Sequence, residues 1–161
     1  MAVDEQRALR EHVVYLLSGG GAHLGFEDAI TDIPAAQQGA RVSASTKTPW
    51  QLLEHIRICQ WDILEFCQNP EHVSPKFPEG YWPTGDAPPS ESCWGESVTA
   101  FVRDRQQIID LVMDSNCDLL TPLPHGQGQT LLREALLVAD HDAYHLGQLV
   151  YVRRMLGIWP E

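Results

Sequence analysis

Two histidines, His141 and His145, stand four residues apart in the run DHDAYHLGQLVYVRR. On an α-helix that spacing puts both imidazoles on one face, one turn apart, where they can converge on a single metal ion. The face continues through Leu137 and Val138 before the pair and Gln148, Leu149 and Val152 after it, so it is expected to be buried. The pair alone leaves two readings open, core histidines bonded to carbonyls or two teeth of a metal site. Catalytic metals usually have three protein ligands and an open position. His55 offers the third, on an upstream helical stripe with Gln51, Leu52, Cys59, Asp62 and Phe66. Three imidazoles buried without partners are costly, and a shared cation removes that cost. The expected ligand set is His55, His141 and His145.

Other polar residues are ranked by their place relative to this set. Gln148 lies one turn past His145 and Asp62 two turns past His55, so either can orient a ligand or line the pocket. Glu54 and Asp142 adjoin ligands in sequence but point about 100° away around their helices, which predicts solvated roles. Cys59, one turn from His55, reads as a small core residue. His23, in GGGAHLGFEDA, is either a turn residue or one that reaches a pocket. His12 is expected at the boundary of its helix, and His72 and His125 solvated in proline-rich loops. No catalytic residue is assigned.

The elements that must position these groups are helical. A first helix is predicted from about Val3 to Leu17, stopped by the glycines of SGGG. A short helix is expected in FEDAITDI. The second long helix has a clear start, with Thr48 as N-cap, Pro49 at the first position and Gln51 completing a capping box. It runs to the residues before Asn69-Pro70. A proline-rich connection from Pro70 to Ser92 carries Tyr81 and Trp82, placed to pack over an opening. A third helix is predicted from about Ser92 to Ser115. The fourth runs from a Thr130 cap to Leu156, with Gly157 just beyond. The fold class is all-α, a four-helix bundle with long decorated loops, in one domain over residues 1–161.

Composition narrows the partners. The net charge of −11, from 22 acids against 11 bases, disfavours nucleic acid and anionic membrane surfaces, both of which call for clustered cations. No apolar run approaches the roughly 20 residues that span a bilayer. The charged opening MAVDEQRALR has no apolar core of a secretory signal, and the four cysteines show no C-x-x-C spacing. Cys59 and Cys67 would sit about 12 Å apart on one helix, too far for a disulfide. A reducing cytoplasm is the expected compartment.

The runs TPWQLLEHIRICQWDILEF, ADHDAYHLGQLVYVRRMLG and LLSGGGAHLGFEDAITDIP together resemble the DinB-like (YfiT-like) superfamily, from about Leu16 to Gly157. The resemblance implies a four-helix bundle holding a divalent metal, often nickel or zinc, on three histidines, carried over here to His55, His141 and His145. It also implies homodimers. In some relatives it implies a low-molecular-weight thiol as cosubstrate, in S-transfer or a maleylpyruvate isomerase reaction. Many members have no established reaction. The expected activity is that of a metal-dependent transferase acting on a small-molecule substrate with such a thiol. The alternatives are a metal-dependent hydrolase and a non-catalytic metal-binding or assembly protein.

Overall fold

The computed structural model describes residues 2–160 of the chain, with side chains from residue 5 onward. It has five α-helices, α1 (Ala2–Leu17), α2 (Phe26–Ile30), α3 (Pro49–Gln68), α4 (Cys93–Met113) and α5 (Leu131–Met155), plus 3₁₀ turns at Ala35–Gln37 and Glu79–Tyr81. No strand forms among the described residues; Pro122 and Thr130 make one isolated bridge. The four long helices are the predicted ones, with ends that agree to within a residue or two. The short helix stops at Ile30, earlier than FEDAITDI suggested. Thr31 leaves the helical region and Asp32 takes a positive φ of 59°, so the chain turns there while Ile33 still reaches the core.

The helix ends follow the local chemistry. The Thr48 hydroxyl accepts from the Gln51 N–H at 3.1 Å, and the Gln51 side chain accepts from the Thr48 N–H at 3.3 Å. Those two bonds satisfy backbone donors that α3 would otherwise leave bare. Thr130 caps α5 through the Arg133 N–H. At the far end of α5, Gly157 has φ 70°. Its N–H bonds Arg154 O at 3.1 Å and the Ile158 N–H bonds Arg153 O at 3.0 Å, the paired closure that a glycine after a helix permits.

Both α1 and α3 pack against α4 and α5, which places α1 and α3 on one diagonal of the bundle; α2 lies against α5. The interior divides into two apolar clusters. One gathers Phe26, Trp50, Leu53, Ile56, Phe101, Leu146, Leu149 and Val152. The other gathers Val13, Leu17, Leu64, Ile108, Val112, Ala135 and Val138. Helix α5 gives Ala135 and Val138 to one cluster and Leu146 onward to the other. His141 and His145 fall in the interval, so the polar groups sit between two packed regions that hold α3 and α5 in register.

The connection from residue 69 to residue 92 is tied down along its length. The His72 Nε2 and the Tyr81 hydroxyl each lie 2.7 Å from a different oxygen of Asp62. Further along, the Thr48 hydroxyl donates to Asp86 O at 2.6 Å and the Gln51 amide donates to Asp86 Oδ1 at 3.1 Å. The residues that cap α3 therefore also anchor the strap that crosses it.

Candidate metal centre

The strap and the two helices bring His55, His141 and His145 together. Nε2 of His55 lies 3.1 Å from Nε2 of His145 and 3.2 Å from Nε2 of His141, and one nitrogen from each ring lies within 4.8 Å of the other two. His55 and His145 are buried and His141 is half-buried. A tetrahedral ion with bonds of about 2.0–2.1 Å separates its nitrogen ligands by about 3.3 Å, close to these spacings.

The proton positions follow from the outer partners. Nδ1 of His55 lies 2.8 Å from the Tyr81 carbonyl oxygen, which can only accept, so Nδ1 carries the proton. Nδ1 of His145 lies 2.9 Å from Oε1 of Gln148 and donates in the same way. Each ring then presents a bare lone pair at Nε2. Burial favours the neutral form of both. It lowers His55 to about 4, against the upward pull of the Tyr81 carbonyl, and it lowers His145 despite its bond to Gln148. Two lone pairs facing each other at 3.1 Å repel unless a cation stands between them. The donor set fits a divalent metal, since neutral imidazole is a common ligand and the outer N–H bonds fix the ligating tautomer.

Gln148 bonds His145 directly. Asp62 acts at one remove. It accepts the Tyr81 hydroxyl, and the backbone carbonyl of the same Tyr81 receives the His55 proton. His23 is exposed and its Nδ1 faces Leu24 O at 2.9 Å; it lines a small cleft with Phe101, Arg105, Asp142 and Leu146, and no bond joins it to the three histidines. Cys59 rests its sulfur 3.6 Å from Nδ1 and 3.8 Å from Nε2 of His55. Burial, reinforced by Asp62 and Asp142, pushes its thiol up to about 12, so it meets the ring as a neutral group.

Several expectations are corrected. Asp142 is not solvated. It stands four residues after Val138 and four before Leu146, on the stripe that α5 buries, and its side chain is 13% exposed. Its Oδ1 lies 3.8 Å from His141 Nδ1 and has no hydrogen-bond partner. Burial raises its carboxyl to about 6, although His141 pulls the other way. Glu54 is buried as well, because α4 covers that side of α3; it accepts from Ser97 at 2.6 Å and pairs with Arg57 at 2.7 Å. Leu137 is 38% exposed, because the buried stripe of α5 is centred nearer Asp142 than the histidine pair suggested. His12 is exposed rather than at a boundary. His72 and His125 are not solvated; His72 bonds Asp62, and His125 lies 2.6 Å from Phe66 O.

Three further groups contribute, of which the sequence reading names only Trp82, as a residue placed to pack over an opening. Trp82 stacks flat on the His55 ring, with centroids 3.8 Å apart and planes 3° from parallel. The Tyr81 carbonyl orients His55. Lys47 holds its ammonium 4.2 Å from the centre of the Trp82 ring. The aromatic pair in a proline-rich connection was a visible signal; the carbonyl and the lysine had none.

A family model described as the DinB superfamily matches residues 25–149. The chain belongs to the DinB superfamily. No curated protein and no solved structure matches it. Its all-helical fold and three-histidine cluster are compatible with binding a divalent metal. Among the described residues, no helix is long and apolar enough to cross a membrane.

Proposed function

We propose that the protein binds one divalent metal through His55, His141 and His145 and uses it to activate a low-molecular-weight thiol for transfer to a small electrophile. The observation that carries the metal is the facing of two unprotonated Nε2 atoms, His55 and His145, at 3.1 Å. When bound, a divalent ion on three neutral imidazoles keeps its full charge and lowers the pKa of a thiol or water placed on it. The chain does the rest. Gln148 and the Tyr81 carbonyl hold the imidazole protons outward. Trp82 covers one face of His55 and limits water there.

The neighbouring groups favour a thiol over water. Hydrolysis through bound water is served by a nearby carboxylate base. Asp62 is occupied by His72 and Tyr81, and Asp142 is buried against His141. The cleft that contains Gln148 is lined by no carboxylate. A free thiol ionises at pH about 8.5, far below water, and needs less help. Zinc or nickel are the expected ions, as the family resemblance implies; imidazole donors suit both, as they also suit copper and iron. The reading extends to a homodimer, for which Tyr144, Tyr151 and Met155 offer exposed apolar surface along α5; sedimentation at micromolar concentration tests that part.

The experiment is a turnover panel with zinc- or nickel-loaded protein. Small thiols with alkylating or unsaturated electrophiles should be consumed, with loss of activity in His55→Ala. Hydrolysis of esters or amides without thiol consumption would instead establish the hydrolase, and inactivity on both panels would leave a binding protein.

A further inference from the structure

Beside the histidines, one helical turn along both α3 and α5, lies a cleft of about 390 Å³, within the size range of small-molecule sites. Leu52 and Val152 form its apolar floor, and Gln148, Tyr151, Thr46 and Lys47 contribute to the rest. The chain carries 22 acids against 11 bases, yet this cleft has one cation and no carboxylate. Four other clefts each include at least one acid: Asp142, Glu11, Asp62 or Asp110. A patch of positive potential on a strongly acidic protein selects for anions.

Lys47 is held for this task by its surroundings. Its neighbour Thr48 is fully buried, and the carbonyl of Thr46 accepts from Arg41 at 2.6 Å. The adjacent acid, Asp86, is already engaged by Arg41 and Gln51. Among the described residues, no carboxylate lies within 4.0 Å of the Lys47 ammonium, which sits instead over the Trp82 ring. That ring stacks on His55. A column Lys47–Trp82–His55 thus connects the cation of the cleft to the histidine cluster, and Gln148 joins cleft and cluster a second time through His145.

We infer that this cleft is the substrate subsite, and that it takes a small organic molecule with an apolar body and a carboxylate that pairs with Lys47. A carboxylate fits better than a phosphate, because a single lysine faces the cleft and no arginine lines it. The inference deepens the functional reading above, which places chemistry at the histidines.

The test is a titration of zinc-loaded protein with hexanoate and with the neutral hexanamide, followed by methyl NMR of Leu52 and Val152. Hexanoate should bind about fivefold more tightly than hexanamide, the size expected of a partly exposed ion pair. The preference should vanish in Lys47→Met and persist in Lys47→Arg; the side chain is exposed, so neither change threatens the fold. Equal binding of the two probes, or a preference that survives Lys47→Met, overturns the assignment, since the second would place the carboxylate on the metal. Tighter binding of inorganic phosphate than of hexanoate also overturns it. Repeating the titration on metal-free protein separates the two readings. The cleft belongs to the fold, so a lost preference there condemns the subsite and leaves the metal site untouched, whereas a kept preference supports the subsite whatever the metal content of the wild-type protein proves to be.

Discussion

Nε2 of His55 and Nε2 of His145 face each other at 3.1 Å, and both rings have committed their protons to the opposite nitrogen. Without an ion this is a repulsive contact held in place by packing. With an ion it becomes coordination. Metal binding should therefore stabilise the fold. At a zinc concentration of about 100 times the dissociation constant the gain is about 2.7 kcal/mol, readable as a rise in melting temperature that a chelator reverses. His55→Ala should abolish the rise. A rise of the same size in the variant would place the ion elsewhere.

Gln148→Leu removes the acceptor that keeps the His145 proton outward, without touching the ion itself. Zinc affinity should fall about tenfold, at the lower end of the range for partners that orient a ligand. Gln148→Glu keeps an acceptor and should retain affinity. Competition with a coloured chelator distinguishes the two, and equal losses in both variants would show that Gln148 acts through packing alone.

Tyr81→Phe leaves the His55 acceptor in place, since that acceptor is the backbone carbonyl, but releases the strap from Asp62. The lost bond leaves a buried carboxylate oxygen short of a donor, a cost of about 1–3 kcal/mol. Unfolding in urea should show this loss, and amide exchange should quicken around Tyr81 and Trp82 more than in the helices. Unchanged exchange in the strap would mean that His72 and Asp86 suffice to hold it.

In the metal-free protein the response to mild acid sets His55 and His145, both lowered by burial, against Asp142, which burial raises. Burial lowers His55 from 6.5 to about 4, so the unfolded chain takes up its proton first. Stability then falls as pH drops from 6.5 to about 4, by on the order of 3 kcal/mol. Burial raises Asp142 from 3.8 to about 6, so the folded chain protonates first. Its contribution rises as pH drops from about 6 to 3.8. In Asp142→Asn the second effect is gone, and urea midpoints should fall more steeply than wild type across pH 6 to 4. Parallel profiles for the two proteins would remove Asp142 from the balance.

Much of the scaffold was readable in the chain. Thr48, Pro49 and Gln51 announce the start of α3 through bonds among near neighbours, and Gly157 closes α5 for the same local reason. The i, i+4 spacing of His141 and His145 was enough to place them on one face. Asp142 and Glu54 were misplaced because one helix wheel cannot show which flank a second helix covers. α4 buries Glu54 against Ser97, and the stripe joining Val138 to Leu146 carries Asp142 inward. His72 was placed in solvent and the Tyr81 carbonyl was passed over because the strap has no periodicity. Its path depends on Asp62, ten residues from one partner and nineteen from the other.

The most direct test is elemental analysis of protein purified without a metal-chelating column, then offered zinc and desalted. The account predicts about one divalent ion per chain in wild type, and little or none in folded His55→Ala and His145→Ala. A wild-type chain that retains no ion, or variants that retain as much as wild type, would contradict it.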